Sequence, residues 1–158
     1  MRISIRRALK KDIPRIQQLL TQVCNVHNEG RPDIFKKDCQ KYREDELELL
    51  IEDSTRPIFV GVDEDDNVVG YGFCVIIDYT GNNVIVDRRE LYIDDLCVDE
   101  KARGTGVGGM LFDFIKTYAK EIGCYHVTLN VWACNPGAMA FYESRGMKLL
   151  KKEMEVIL

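Results

Sequence analysis

The chain is short of several features that mark whole classes of protein. No stretch of its 158 residues is apolar for long enough to cross a bilayer, and the first residues alternate in polarity instead of forming the apolar centre of a signal peptide. The 22 Lys and Arg residues are scattered and outnumbered by 26 Asp and Glu, for a net charge of −4. We therefore expect no membrane anchor and no nucleic-acid partner.

Metal sites and a disulfide framework also find little support. The cysteines include no C-x-x-C pair, and four of them lie in apolar runs, where a reduced cysteine packs as a small hydrophobic side chain. We expect reduced cysteines, a cytoplasmic location and no metal. The six positions are Cys24, Cys39, Cys74, Cys97, Cys124 and Cys134.

The composition that is present is typical of a globular protein. Apolar residues make up 46% of the chain and charged residues 30%, and the length suits one domain spanning residues 1–158. Periodicity predicts helices where apolar residues recur every three or four positions, and strands where they alternate. The resulting order is β-α-α-β-β-β-α-β-α-β, a three-layer α/β or α+β domain, whose last strand covers residues 147–158 and whose first two helices are joined by a loop over residues 25–37.

A glycine-rich segment between a predicted strand and a predicted helix is the clearest functional signal. Arg103 opens it, and Gly104, Thr105, Gly106, Val107, Gly108 and Gly109 follow. Glycines let the backbone approach a ligand, and the free N–H groups at a helix N-terminus favour phosphate. The segment predicts a pyrophosphate site.

Two other phosphate motifs fit poorly. The glycine spacing matches the dinucleotide fingerprint, but the next strand ends in Trp132-Ala133-Cys134 without the acidic residue expected roughly 20 positions on. A P-loop would need a Gly-Lys-Ser/Thr triplet, which the chain does not contain.

The glycine segment instead resembles the Arg/Gln-x-x-Gly-x-Gly/Ala signature of the GNAT superfamily of acetyl-CoA-dependent N-acetyltransferases. Residues 135–147, NPGAMAFYESRGM, are similar to a second signature of that family at the expected distance. The resemblance implies a GNAT-like acyl-CoA N-acyltransferase fold: a central mixed, mostly antiparallel sheet with splayed central strands, flanked by helices. It also implies acetyl-CoA as co-substrate and a small-molecule or peptide amine as acceptor.

Further roles follow from the resemblance. Residues 103–109 would hold the pyrophosphate, the backbone of Leu96, Cys97 and Val98 would bind pantetheine, and Asn135 would contact the cofactor besides capping the helix at Pro136. Tyr142 matches the family's general acid, which protonates or hydrogen-bonds the leaving thiolate. A core aromatic is the alternative reading of Tyr142.

The identity of the general base stays open, and the candidates are two adjacent carboxylates and a water chain. Asp94 lies where aminoglycoside-type acetyltransferases carry an Asp, whereas Asp95 points to the opposite face of an ideal strand unless a bulge intervenes. Ribosomal-protein N-terminal acetyltransferases carry a Glu at the position of Asn130, whose amide cannot act as base.

His27 and Arg31 lie in the segment that varies with the acceptor. A non-catalytic acetyl-CoA-binding module is the alternative function, and the oligomeric state stays open, a homodimer included.

Overall fold

The computed structural model describes all 158 residues as one five-stranded sheet with helices on both faces. The strands and helices follow the predicted order as far as the last helix. They are β1 (Ser4–Arg7), α1 (Ile13–Gly30), α2 (Glu44–Glu52), β2 (Ile58–Val62), β3 (Val68–Asp78), β4 (Arg89–Val98), α3 (Val107–Glu121), β5 (His126–Leu129) and α4 (Pro136–Ser144). This arrangement confirms the predicted three-layer fold with a mixed sheet.

The sheet opens between its last two strands. Neighbouring strands pair antiparallel from β1 to β4, whereas β5 runs parallel to β4. Pairing of β4 with β5 begins at Glu90 and His126 and stops at Ile93 and Leu129, although β4 continues to Val98. The strands therefore splay, as predicted, and leave one edge of β4 without a strand partner.

Each face of the sheet carries its own apolar core. We call them the α1-side core and the α3-side core. Apolar residues of α1 recur at helical spacing and bury Ile16, Leu19 and Leu20 against the first face, and Leu111, Phe112 and Ile115 of α3 cover the second. Full burial of each such side chain stabilises the fold by about 1.5–3 kcal/mol. No helix is both long and apolar enough to cross a membrane.

Two local expectations are wrong. Helix α1 continues to Gly30, so the first part of the predicted 25–37 loop is helical. Asp12 precedes α1, and its carboxylate accepts hydrogen bonds from Arg6 and from the Leu9 amide. Residues 148–158 alternate in polarity yet form no strand, because no neighbouring strand pairs with them.

The expectation of reduced cysteines is wrong for one pair. Cys24 in α1 and Cys39 in the α1–α2 connection (residues 31–43) form a disulfide, with their Cα atoms 5.8 Å apart. Their positions differ by 15 in sequence, and the return of the chain along α1 brings them together. The other four cysteines are free.

Candidate active site

The glycine segment forms an open turn before α3. Gly104 and Gly106 have φ angles of 78° and 89°, a left-handed conformation that favours glycine. A Cβ atom added to either would meet nothing within 4 Å, so the turn faces open space. Gly106 is the N-cap of α3, and the amides of the first helical turn have no carbonyl partner within the helix. This end of α3 is therefore suited to bind an anion.

The other two glycines of the segment lie beside α4 and its C-cap. A Cβ on Gly109 would lie 1.6 Å from Nη2 of Arg145, and one on Gly108 would lie 3.5 Å from Cζ of Phe141. Both neighbours belong to α4 or its C-cap, so α4 passes close to the first turn of α3. Only the first half of the segment, which contains Gly104 and Gly106, therefore forms the open turn.

The free edge of β4 adjoins this turn. Leu96, Cys97 and Val98 pair with β3 on one side, and β5 has ended before reaching their other side. Burial raises the pKa of Cys97 to about 12, so its thiol stays protonated and uncharged at neutral pH. What this stretch offers a ligand is therefore its backbone.

A β-bulge places both candidate bases on one face of the sheet. Phe73 of β3 pairs with Asp95, but the next residue, Cys74, pairs with Ile93, so Asp94 is an extra residue in β4. The bulge reverses the alternation, and Asp94 and Asp95 both reach tyrosines that contact Phe73 in the α1-side core.

Asp94 is held by two side chains of the α1–α2 connection. The hydroxyl of Tyr42 donates to its Oδ2 at 2.7 Å, and Nζ of Lys41 lies 2.9 Å from the same atom. The Tyr42 ring stacks on Phe73 with 5.3 Å between ring centroids. Sequence reasoning missed Tyr42 and Lys41, because they lie more than fifty residues from Asp94 with no motif around them.

Asp95 is more deeply enclosed than Asp94. It accepts a hydrogen bond of 2.8 Å from the Tyr71 hydroxyl, and burial raises its pKa from 3.8 to about 6. A large fraction of Asp95 is therefore still ionised at neutral pH, but less than for an exposed carboxylate.

Tyr142 lies on the opposite side of the opening from these carboxylates. Its ring packs against the α3-side core, 6.1 Å from Phe112, and its hydroxyl forms no hydrogen bond with the protein. Burial, with contributions from Asp95 and Cys97, raises the pKa of Tyr142 to about 12. Those two residues face the α1-side core, so Tyr142 approaches them across the gap between β4 and β5.

Asn135 has the capping role that its sequence position predicts. Its side-chain oxygen accepts a hydrogen bond of 3.1 Å from the Ala138 amide, and Pro136 begins α4. Asn130 donates a hydrogen bond of 3.1 Å to the Tyr92 hydroxyl. A contact of Asn135 with cofactor stays a prediction.

The predicted acceptor segment is divided between α1 and the α1–α2 connection. His27 lies in the last turn of α1, and its ring is 4.8 Å from that of Phe35, which meets Trp132 at the same distance. Burial lowers the pKa of His27, so this imidazole is neutral at pH 7. Arg31 forms ion pairs with Asp33 and Glu155. No sequence pattern indicated that Trp132 packs beside His27 and Phe35.

No group of three or more His, Cys, Asp or Glu side chains is arranged to hold a metal ion.

Known proteins share both the sequence pattern and the fold. The sequence profile of the acetyltransferase (GNAT) family matches residues 5–147. A mutant of protein BH1408 from Bacillus halodurans is 32% identical, with a TM-score of 0.93 over 98% of this chain and 99% of that one. A glucosamine 6-phosphate N-acetyltransferase of Arabidopsis thaliana is 30% identical over 96 residues, which are 52% of this chain and 60% of that protein. A probable glucosamine 6-phosphate N-acetyltransferase of Drosophila melanogaster is 28% identical over 82% of this chain and 52% of its own length.

The chain belongs to the GNAT acetyltransferase family. Membership confirms the predicted resemblance and the predicted fold. The chain spans little more than half the length of the two curated glucosamine 6-phosphate relatives.

Proposed function

We propose that the protein transfers the acetyl group of acetyl-CoA to a primary amine by direct attack within a ternary complex. One observation carries the proposal: the gap between β4 and β5 is reached from both faces of the sheet. The glycine turn and Tyr142 border it on the α3 side, and Asp94 lies on the α1 side. A thioester in the gap would meet its amine from one face and its acid from the other.

Acetyl-CoA would bind along the α3 side. The pyrophosphate would accept hydrogen bonds from the backbone of residues 104–109, with Arg103 exposed at the start of the turn. Pantetheine would pair with the free edge at Leu96, Cys97 and Val98, and Asn135 would contact the cofactor from the N-terminus of α4. Open space at Gly104 and Gly106 supports this placement, because a side chain there would stand between backbone and phosphate.

The reaction requires a neutral amine, an oxyanion donor and a hydrogen bond for the leaving group. The amine nitrogen attacks the thioester carbonyl, and the backbone N–H of Leu96 or Cys97 stabilises the oxyanion. Collapse of the tetrahedral intermediate breaks the C–S bond, the former amine nitrogen loses one proton to solvent to give the neutral amide, and the thiolate leaves. Tyr142 stabilises that thiolate.

The pKa of Tyr142 defines what this phenol contributes. At about 12 it is fully protonated at neutral pH, but it is a weaker acid than a thiol with a pKa near ~8.5. Complete proton transfer to the thiolate would be uphill by about 5 kcal/mol. We therefore infer that Tyr142 acts mainly by donating a hydrogen bond as charge develops on sulfur, and that the thiolate takes its proton from solvent after release.

Asp94 is our leading base for the amine. An alkylammonium with a pKa near ~10.4 must lose a proton before attack, and Asp94 is the half-buried carboxylate on the α1 side of the gap. Tyr42 orients it by a hydrogen bond and Lys41 by an ion pair. Asp95 or a water chain are the alternatives, and Asp95 is the more deeply buried of the two carboxylates.

The decisive variant removes only the hydroxyl of Tyr142. We expect Tyr142→Phe to retain the fold and acetyl-CoA affinity but to lower the single-turnover rate by about 10²-fold, the lower end of the range for proton-transfer groups, because the hydrogen bond is lost while the packed ring stays. Tyr125→Phe, an exposed tyrosine just before β5, is the matched control and should leave the rate unchanged. A wild-type rate in Tyr142→Phe would show that Tyr142 acts only as a core aromatic.

The acceptor is found by screening amines for release of CoA thiol. Glucosamine 6-phosphate belongs in the screen, since two relatives carry that name. An aminoglycoside is included because Asp94 lies where aminoglycoside-type acetyltransferases carry an Asp. A lysine peptide, peptides with a free N-terminus and a polyamine complete it. Tight acetyl-CoA binding with no turnover on any class would favour a non-catalytic acetyl-CoA-binding module instead.

A further inference from the structure

Gln22 of α1 is bonded to the backbone at the end of β4. Its side-chain nitrogen donates a hydrogen bond of 3.0 Å to the carbonyl oxygen of Val98, the last residue of β4. Its side-chain oxygen accepts a hydrogen bond of 3.3 Å from the amide of Glu100. Because one planar amide makes both bonds, Gln22 fixes the direction in which the chain leaves β4.

The Val98 carbonyl lies on the free edge of β4. The amide of Asp99 donates to the Val69 carbonyl of β3 at 2.8 Å, so the backbone groups of Asp99 face β3. Successive residues of a strand present their backbone groups to opposite sides, and those of Val98 therefore face away from β3. Leu96 lies two residues earlier and presents its groups to the same side as Val98. Gln22 thus contacts the edge along which pantetheine would pair.

Glu100 opens the segment that joins β4 to the glycine turn. Residues 100–102 form a short 3₁₀ helix, and Arg103 follows it directly. The proposed pyrophosphate site therefore begins just after the helix whose first amide is bonded to Gln22. One side chain is thus bonded both to the pantetheine edge and to the approach to the phosphate turn.

A second side chain of α1 reaches the same passage of the chain. Arg15 forms an ion pair with Asp99 and donates a hydrogen bond of 3.2 Å to the Val68 carbonyl. Arg15 and Gln22 are about two helical turns apart and therefore share one face of α1. Arg15 holds the side of this passage that faces β3, whereas Gln22 holds the free edge.

We propose that Gln22 is a positioning residue for acetyl-CoA, which holds the free edge of β4 and the glycine turn at the spacing that one cofactor molecule spans. This inference rests on the function proposed above. Pantetheine and pyrophosphate are covalently joined, so both are bound fully only when their two sites lie at one distance and angle. A side chain that fixes this spacing before binding reduces the cost of ordering the two sites around the cofactor.

Gln22→Met tests the proposal, because methionine keeps the length of the side chain and removes both hydrogen bonds. Two ligands are titrated by calorimetry: acetyl-CoA, and 3′-phospho-ADP, the part of CoA that carries the pyrophosphate without pantetheine. We expect Gln22→Met to bind acetyl-CoA about 10-fold more weakly than wild type, but 3′-phospho-ADP within about 2-fold of wild type, since the nucleotide alone does not depend on the spacing. In turnover, KM for acetyl-CoA should rise and KM for the amine should stay unchanged.

Gln17→Met is the matched control. Gln17 lies in the same helix and is also half-buried, but its backbone carbonyl, and not its side chain, takes part in hydrogen bonds. The control should therefore leave both affinities unchanged.

The comparison of the two ligands decides the outcome. Wild-type affinity of Gln22→Met for acetyl-CoA would overturn the proposal. An equal loss of affinity for both ligands would also overturn it, because Gln22 would then only support the turn. A wild-type protein that does not bind acetyl-CoA would overturn the proposed function and this inference with it, so failure of the inference alone is distinguishable.

Discussion

Reduction of the Cys24–Cys39 disulfide should destabilise the fold by a predictable amount. The bond closes a loop of fifteen residues, and the chain-entropy relation gives about 3 kcal/mol for a loop of that length. For a protein of this size that corresponds to a fall in Tm of about 6–12 °C. The melting temperature with and without reductant measures it.

The same bond fixes the segment that holds Asp94. The α1–α2 connection carries Lys41 and Tyr42, and besides the disulfide it is tied to α1 by hydrogen bonds from Asn25 to Asp38 and from Asn28 to Phe35. We therefore expect reduction to raise KM for the amine and to leave KM for acetyl-CoA unchanged.

Two cysteine variants control the experiment. Cys39→Ser should melt like the reduced protein and no longer respond to reductant, whereas Cys134→Ser, which removes an exposed free cysteine, should respond like wild type. Equal melting temperatures for the oxidised and reduced protein would refute the reasoning, and so would a reductant effect that persists in Cys39→Ser.

Three further outcomes follow from the site. Gly106→Val should abolish the rise in Tm caused by acetyl-CoA. The control Gly81→Val has a similar positive φ in a distant loop, and it should lose stability but keep that rise. Normal acetyl-CoA binding by a folded Gly106→Val would contradict the assignment of the turn to phosphate binding. Asp94→Asn should lower kcat/KM by about 10²–10⁴-fold at neutral pH and recover in part at higher pH, where more amine is neutral, and a profile parallel to wild type would exclude Asp94 as base. The pKa of Asp95 rises from 3.8 to about 6 on folding, so its contribution to stability is present below pH 3.8 and is lost as pH rises through 6. The stability of Asp95→Asn, measured by denaturant unfolding, should therefore increase relative to wild type between pH 4 and pH 7. A pH-independent difference between the two proteins would count against this.

Much of the fold could be predicted because its signals are local. Helix α3 follows from the spacing of Leu111, Phe112 and Ile115, and the turn before it follows from Gly104 and Gly106, whose conformation favours glycine. The last predicted strand shows where this reasoning ends. Alternation in residues 148–158 indicates an apolar face, but strand formation also needs a neighbouring strand, and none pairs with these residues.

Less of the site could be predicted from the sequence, because its contacts join distant parts of the chain. Asp94 was predicted, but Tyr42 and Lys41 reach it only after α1 and α2 have packed on the sheet. The disulfide was missed for the same reason. Long-range contacts of this kind leave no periodic trace in the sequence.

The bulge at Asp94 also affects how relatives can be compared. A relative that lacked the extra residue would regain strict alternation, and its carboxylates would then fall on opposite sides of the sheet. Two chains could thus carry the same pair of acids at adjacent positions and yet direct them to different faces of the sheet. Candidate bases in this family should therefore be matched by superposed backbones and not by counting residues along the strand.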